Sequence, residues 1–434
     1  MPLKHTVTEL ALKNGAKGLI IDVPGTTVVS YQFQFRAGND YVTDPKKQQT
    51  AHIMEHMAFG ANKKFGSVEA FSQEFSKNGA WSNAITWDRN MIYYANCALM
   101  EWDRILDLQQ LSITQPVFKQ NILDAEKGNV REELVGNANN HTRVMWERIY
   151  RAKGEPSALD VEKIKTINNV TLNDIRRHHD TTHTLHNMRF IIAGDLEKHH
   201  AEIEKNLENW QLTPGEALPA KTYSLHSARP LSILRTDMSN IRFGISISLN
   251  RHFAEDEQTA MGALNHILNG TFHSRIWGKA RVRGLCYSMG SSTSTDIDGV
   301  TNWEFYGQVA NENATPLFEL ITTQLKKVGQ GEITDQELEE AKQYALGGYQ
   351  MRAQTVGDLA SWYSDYFDDG KIDYITDSPM MIQQTQLKTI TSLAQEFMEQ
   401  GNWVLGTIGN MPTEKTEELS AILSNVLQES KIIP

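Results

Sequence analysis

The sequence predicts an α+β protein built from two homologous domains, each a largely antiparallel sheet packed against helices. Three observations support this fold class: the length of the chain, a strand that recurs in both halves, and a strand-to-helix unit that recurs with it. A chain of 434 residues with 40% hydrophobic residues is longer than one ordinary domain and can bury more than one core. We therefore expect at least two domains.

The first repeated element is a buried strand that ends in a glycine turn. Residues 184–196 and 399–412 both contain an Asn, then an apolar and β-branched run, then a Gly. The asparagines of the two copies, Asn187 and Asn402, are 215 residues apart. Because this period is as long as a domain, the repeat indicates that a domain was duplicated and not that the chain is a solenoid.

The second repeated element is an alternating strand that leads into a helix. In residues 28–59 and again in 241–268, the hydrophobic period changes from 2 to about 3.6. A later amphipathic helix in each half carries Lys127 and Lys342 at corresponding positions. Prolines and polar residues separate the halves, so we predict an N-terminal catalytic domain (1–212), a linker (213–224) and a C-terminal homologous domain without metal residues (225–434).

Composition excludes several classes of function. The net charge of −11 argues against nucleic acid as the main ligand, and no apolar run is long enough to span a membrane. The amino terminus lacks the pattern of a secretory or transit peptide. Cys97 and Cys286 lie in apolar surroundings, which is typical of free thiols in a reducing compartment. We expect a cytoplasmic, bacterial protein.

The first half contains the sequence H-x-x-E-H at residues 52–56. In a helix, His52 and His56 lie one turn apart on the same face, so both imidazoles can reach one zinc ion. Glu55 lies beside them and can act as a general base toward water. A catalytic zinc needs a third protein ligand, which we predict to be Glu133. Glu126 is seven residues earlier on the same helical face and can orient a ligand, whereas the alternative ligand Glu132 points about 100° away.

Three other interpretations of the motif compete with a catalytic zinc site. The string can arise by chance, but its helical context and the downstream glutamates favour a metal site. A structural zinc would need a fourth protein ligand, and no cysteine is near in sequence. A non-catalytic relative, acting as a scaffold or partner subunit, would have a broken motif. The second half is an example of a copy without the metal residues. By the repeat offsets, Ala260–Asn265 correspond to residues 51–56, and Gly348 corresponds to Glu133.

The residues resemble the pitrilysin and mitochondrial-processing-peptidase family of zinc metallopeptidases, the inverzincins with the H-x-x-E-H motif. The resemblance covers most of the chain and is carried by segments 52–59, 78–97, 126–134 and 274–292. It implies a zinc metalloendopeptidase that acts on short or unfolded peptides as an oligopeptidase or processing peptidase. It also implies that the chain forms half of a clamshell chamber.

The resemblance further implies a role for each matching residue. One zinc ion per chain would be bound by His52, His56 and Glu133, with Glu55 as the general base and Glu126 as a supporting carboxylate. Asn83, Ala84 and Thr86 would precede an edge strand, and the peptide would be added as a strand along the edge near them. Tyr287 and an arginine of the second half would position the substrate, and Arg281 is preferred to Arg283 for this role.

The family closes its chamber with four such domains, and this chain supplies two. The resemblance therefore implies a homodimer, with a heterodimer with an inactive homologue as the alternative. Three residues depart from the family pattern, namely Arg89, Met91 and His183, so the substrate preference is left open. Of the histidines in residues 178–200, only His179 and His183 repeat the i, i+4 spacing of a metal site, and they lie at a helix end, so we expect surface or capping roles for these histidines.

Overall fold

The computed structural model describes residues 1–156, 158–296 and 299–428, and the chain divides into two compact units. The strands are β1 (Thr6–Ala11), β2 (Lys17–Asp22), β3 (Val28–Phe35), β4 (Trp81–Thr86), β5 (Met91–Ala98), β6 (Met188–Gly194), β7 (Leu231–Leu234), β8 (Ile241–Leu249), β9 (Cys286–Thr295), β10 (Thr301–Val309) and β11 (Asn402–Gly409). The helices are α1 (Thr50–Ala58), α2 (Val68–Ser76), α3 (Trp102–Thr114), α4 (Gln120–Ala138), α5 (His141–Lys153), α6 (Asp160–Thr166), α7 (Leu172–Thr182), α8 (His200–Glu208), α9 (Glu255–Asn265), α10 (Trp277–Val282), α11 (Ala314–Gly329), α12 (Asp335–Met351), α13 (Val356–Trp362), α14 (Tyr366–Asp369), α15 (Ser378–Gln384), α16 (Leu387–Gln400) and α17 (Thr413–Leu423).

The first unit contains a six-stranded sheet in the order β1-β2-β6-β3-β5-β4. Only the β2–β6 pair is parallel among the pairs in this sheet of described strands. Alternating aromatic residues of the central strand β3, including Phe33 and Phe35, are fully buried in the core beneath it. The strand β4 is an edge strand, because β5 is its partner on one side and no described strand pairs with the other side.

The second unit contains a five-stranded sheet in the order β7-β11-β8-β10-β9. This order repeats β2-β6-β3-β5-β4 strand for strand, and again the first pair is parallel and the others are antiparallel. A hydrogen bond also recurs: Lys127 Nζ donates to Asn168 O at 3.3 Å, and Lys342 Nζ donates to Gln383 O at 2.8 Å. The predicted α+β class, with two largely antiparallel sheets packed against helices, is confirmed.

The two units are not two continuous halves of the chain. The first unit comprises residues 1–136, 160–221 and 350–375, and the second comprises residues 137–159, 222–349 and 376–434. The boundary between residues 221 and 222 falls inside the predicted linker. The predicted domains, each a continuous stretch of chain, do not account for segments 137–159 and 350–375. Segment 137–159, with α5, packs in the second unit, and segment 350–375, with α13 and α14, packs in the first. Each half therefore contributes a helical segment to the sheet of the other half.

Two further observations concern the whole described chain. No helix in residues 1–156, 158–296 and 299–428 is both long and apolar enough to cross a bilayer. Cys97 and Cys286 are free, buried thiols, and burial raises the pKa of the Cys97 thiol to about 12.

Candidate metal centre

The helix α1 places His52 and His56 on one face, since they are separated by one turn. Its other face is fixed by buried apolar side chains, namely Ile53, Met54 and Met57. The two imidazole rings lie edge to face with their centroids 4.9 Å apart. A short helix anchored in this way holds two ring nitrogens beside one another.

The helix α4 brings the third predicted ligand to this pair. Leu123, Val130 and Leu134 bury one face of α4 in the core of the first unit. Glu133 then lies with its Oε2 atom 3.4 Å from His52 Nε2 and 3.9 Å from His56 Nε2. One ligand atom from each of the three residues lies within 4.8 Å of the other two. Of the described residues, these three form such a group of potential metal ligands.

Two side chains orient the histidines from behind. His56 Nδ1 lies 3.0 Å from Glu126 Oε2, and His52 Nδ1 lies 3.2 Å from Gln49 Oε1. Asn129 Nδ2 in turn donates to Glu126 Oε2 at 3.1 Å. Because each Nδ1 has a polar partner, both Nε2 atoms are directed toward Glu133. Two imidazole nitrogens, one carboxylate and supporting acceptors on the far ring nitrogens are the donor set that zinc takes in catalytic sites, so these residues fit the ion.

Burial and neighbouring charges change the pKa values of His56 and Glu126. Burial lowers the pKa of His56, but the hydrogen bond with Glu126 and the nearby carboxylates of Glu55 and Glu133 together raise it. The same hydrogen bond lowers the pKa of Glu126. Both shifts favour an ionised carboxylate next to an imidazole whose Nδ1 carries a proton.

The predicted general base, Glu55, is almost completely buried, with 6% of its surface exposed. Burial raises the pKa of its carboxyl, although a hydrogen bond from Thr86 and the neighbouring histidines lower it. Thr86 Oγ1 donates to Glu55 Oε2 at 2.7 Å. This bond fixes one carboxylate oxygen and leaves the other, Oε1, as the atom that can accept a proton.

The three residues predicted to contact substrate, Asn83, Ala84 and Thr86, all lie on the edge strand β4. The side chain of Thr86 donates a hydrogen bond to the predicted base, Glu55. The Ala84 amide donates to Asn83 Oδ1 at 2.9 Å. No described strand pairs with the outer edge of β4, so an extended peptide could pair there, and the substrate contacts stay a prediction.

The predicted pair Arg281 and Tyr287 lies in the second unit, where the two side chains stack. The Arg281 guanidinium carbon is 4.1 Å from the centroid of the Tyr287 ring, and Arg281 Nη1 donates to Tyr287 O at 3.2 Å. Tyr287 is 77% exposed. The stacking of Arg281 on the tyrosine ring favours it over the alternative, Arg283, but the role of the pair stays a prediction.

Sequence reasoning missed three features of the centre. Gln49 was not singled out as a partner of His52, although its position three residues earlier on the helix could have indicated it. The bond from Thr86 to Glu55 joins residues 31 apart, and no local pattern predicts it. Tyr93 is fully buried close to Glu55, and its hydroxyl lies 2.9 Å from His183 Nε2.

The expectation of surface or capping roles was wrong for His178 and His179, which are buried. His183 is also buried, but it is the C-cap residue of α7, so the capping role is confirmed for it. His178 and His179 are hydrogen-bonded to the backbone carbonyls of Ala37 and Ile113. Burial lowers the pKa of all three imidazoles, to about 4 for His178. These three residues are therefore neutral core histidines. The helix α7 contains His178 and His179 and ends just before His183. It is amphipathic, and its many polar residues made the buried face difficult to identify from the sequence.

The second unit shows how the same scaffold looks without metal ligands. Asn265, at the end of α9, stands opposite His56 by the sequence offset. It donates to Thr293 Oγ1 at 2.9 Å and accepts from Trp303 Nε1 at 3.0 Å. At this position the second half thus uses a polar side chain to join its helix to its sheet.

Family models match both halves of the chain. A model described as Insulinase (Peptidase family M16) matches residues 19–160 and includes the H-x-x-E-H motif and Glu133. A model described as Peptidase M16 inactive domain matches residues 169–344.

Proteins of similar length match along most of the chain. An "Uncharacterized zinc protease" of Rickettsia bellii (strain RML369-C) is 24% identical over 364 residues, which are 82% of this chain and 85% of the relative. The "Zinc protease PqqE" of Helicobacter pylori is 23% identical over 420 residues, 92% of this chain and 91% of the relative. A solved structure described as a protease from Helicobacter pylori has a TM-score of 0.82 at 18% identity, and the match covers 94% of this chain and all (100%) of that one.

Proposed function

Because the chain belongs to the insulinase family of peptidases, peptidase family M16, we propose that it is a zinc metallopeptidase that hydrolyses peptide bonds in short or unfolded peptides. One observation carries the proposal: ligand atoms of His52, His56 and Glu133 lie within 4.8 Å of one another, next to a buried glutamate. In this proposal one zinc ion per chain is held by these three residues. Bound zinc lowers the pKa of a water molecule to near 7 and polarises a carbonyl group.

The other roles in the proposed reaction belong to residues of the chain. Glu55 accepts a proton from the attacking water on its Oε1 atom and returns it to the leaving amine, while Thr86 holds Oε2. Glu126 and Gln49 keep the Nε2 atoms of the two histidines directed toward Glu133. The open edge of β4 binds the peptide backbone as an added strand, which selects extended segments over folded proteins.

A partner chain is a further part of the proposal. In the family resemblance, chains of this length pair, so Arg281 and Tyr287 of one copy would act on the substrate of a second copy. We propose a homodimer, with a heterodimer with an inactive homologue as the alternative. A monomer in analytical ultracentrifugation that still cleaves peptides would contradict both. Free, buried Cys97 and Cys286 support a reducing compartment, so we propose a cytoplasmic location.

Metal analysis combined with digestion of a peptide library tests the proposed function. The purified protein should contain about one zinc ion per chain, as expected for a catalytic site with three protein ligands. A chelator should remove both the zinc and the cleavage, and added zinc should restore both. Cleavage that persists in the metal-free protein would contradict the proposal.

A second function is favoured by a specific observation, the match of residues 169–344 to a domain described as inactive. A chain that uses both halves as a scaffold would bind peptides or a partner subunit without cleaving them. Binding of library peptides without any cleavage by the zinc-loaded protein would favour this alternative.

A further inference from the structure

The helical segments that the two halves exchange have opposite charges. The helix α5, His141–Lys153, contains three Arg, one Lys and one Glu, which give a formal charge of +3. The equivalent stretch, residues 356–369 with α13 and α14, contains four Asp and no Lys or Arg, which give −4. His141 and Val356, the first residues of these helices, are 215 residues apart, the same offset as between Lys127 and Lys342. The two segments are thus duplicates whose charge has been inverted.

Both segments end at a left-handed glycine, Gly154 with φ 110° and Gly370 with φ 76°. The residue before the first glycine is Lys153. The residues before the second are Asp368 and Asp369. The inversion therefore includes the position where each segment meets the sheet that receives it.

The strand registers identify the equivalent positions on the two sheets. In the second unit, Ser248 lies opposite both Asn402 and Asn302. In the first unit, Phe35 lies opposite Met188 and Met91, so the next residue, Arg36, stands between Asn187 and Asn90. Because Asn187 corresponds to Asn402, Arg36 occupies the place of Ser248, and Asn90 occupies the place of Asn302.

In the second unit, the exchanged lysine meets an acidic partner on the sheet. Lys153 is fully buried, and its Nζ donates to Ser246 Oγ at 2.9 Å and to Ser248 Oγ. Glu304 of β10 lies opposite Ser246 and accepts from Tyr150 Oη at 2.8 Å. Burial lowers the pKa of Lys153 to about 7 and raises that of Glu304, while each charge partly offsets the effect on the other.

In the first unit, the exchanged aspartates meet basic residues on the sheet. Arg36 donates to the carbonyl oxygens of Asp368 and Leu218, both at 2.7 Å, and Asn90 Nδ2 lies 3.3 Å from Asp368 Oδ1. Lys17, Arg36 and Arg189 of this sheet line a cavity of about 250 Å³ together with Asp368 and Asp369. Glu9 also lines this cavity, so the first sheet presents three bases and one acid next to the exchanged segment. The second sheet presents Glu304, two residues along β10 from Asn302.

We infer that these inverted charges direct each exchanged segment to the sheet of the other half and exclude it from the sheet of its own half. The segment with Lys153 would face Arg36, Arg189 and Lys17 on its own sheet, and the segment with Asp368 would face Glu304. Lys17 is exposed, whereas Arg36, Arg189 and Glu304 are half-buried. Solvent compensates poorly for a like charge placed next to a half-buried charge, so such an arrangement is unfavourable. In this inference the charges discriminate between the two sheets, and the apolar faces of the two duplicated segments do not have to.

Buried charges of this kind give specificity and not net stability. Burial raises the pKa of Asp368 to about 6, above that of an exposed aspartate, even though Arg36 acts in the opposite direction. The inference therefore predicts that a neutral residue at position 368 or 153 is tolerated, whereas a residue of the opposite charge is not.

Charge reversals in the full-length protein test the inference. Lys153→Glu places an acid beside Glu304 and should lower the Tm by at least about 5 °C, whereas Lys153→Met should lower it much less. Glu304→Gln should recover most of the loss in Lys153→Glu. In the first unit, Asp368→Lys should lower the Tm and Asp368→Asn should not. Arg36→Ser should relieve Asp368→Lys, and Arg176→Ser, a matched removal of a cation elsewhere in the same unit, should not.

A disulfide reports the docking of α5 separately from stability. A Cβ atom at Gly406 would lie 2.6 Å from the Ile149 side chain, so Ile149→Cys with Gly406→Cys should form a disulfide when α5 is docked on β11. Cross-linking should be lost with Lys153→Glu, kept with Lys153→Met and restored by adding Glu304→Gln. Equal cross-linking and equal Tm for Lys153→Glu and Lys153→Met, or the absence of any rescue, would overturn the inference. If Lys153→Glu alone fails to fold, folding of its combination with Glu304→Gln supports the inference, and failure of that combination overturns it.

Discussion

Replacement of Glu126 should weaken zinc binding without removing any metal ligand. The carboxylate lies 3.0 Å from His56 Nδ1 and is held there by Asn129, so it fixes the proton on Nδ1 and leaves Nε2 free to bind the ion. Loss of such a partner costs about 10- to 100-fold in metal affinity, or about 1.4–2.8 kcal/mol. Glu126→Gln keeps an acceptor and loses the charge, so it should fall near the tenfold end. Glu126→Ala loses both and should fall near the hundredfold end.

Competition titration of the metal-free protein against a zinc chelator measures this effect. Glu132→Ala provides the matched control, because Glu132 is exposed on the same helix and should bind zinc with the affinity of the wild type. Saturating zinc should restore the turnover of Glu126→Gln to within a few-fold of the wild type. Unchanged zinc affinity in Glu126→Ala would refute the view that this carboxylate orients His56.

Three other predictions follow from the same structure. Glu133→Ala should lower the zinc content of the purified protein to near zero, whereas Glu132→Ala should not, and metal analysis decides between them. Thr86→Val should lower kcat about tenfold at unchanged zinc content, because the bond that orients Glu55 is lost; equal kcat in steady-state assays would contradict this role. Since burial raises the pKa of Asp368 to about 6, the folded state binds its proton more tightly than the unfolded state. Its contribution to stability is present below pH 4 and lost as the pH rises through 6. In denaturant titrations between pH 4 and pH 6, the free energy of unfolding of Asp368→Asn should not show this loss. A pH profile of the free energy of unfolding identical to that of the wild type would refute this prediction.

The fold class could be predicted because a duplication makes each half an internal control for the other. The offset between Asn187 and Asn402 located equivalent strands, and the change of period from 2 to 3.6 located the helices that follow β3 and β8. The exchange of α5 and α13 could not be predicted in this way. Both helices bury apolar residues, so their hydrophobic pattern does not indicate which sheet each one packs on. In our inference the choice depends on charges such as Arg36 and Glu304, whose positions can be compared only through the strand registers.

The metal centre was predictable to the extent that helix geometry determines it. The spacing of His52 and His56, and the phase of Glu126 with Glu133, are local properties, and the structure brings these side chains together. The hydrogen bond between Thr86 and Glu55 joins a strand to a helix, and no local pattern predicts such a contact. Thr86 was therefore predicted as a substrate contact and not as a partner of Glu55.

The central claim is that Glu55 acts as the base at a zinc centre, and Glu55→Gln tests it most directly. This substitution keeps the size of the side chain and an acceptor for the Thr86 hydroxyl, and it replaces none of the three predicted zinc ligands. Zinc content and peptide cleavage should be measured on the same preparation. The account predicts about one zinc per chain, as in the wild type, with turnover reduced by at least about 100-fold. Full turnover in zinc-loaded Glu55→Gln would contradict it.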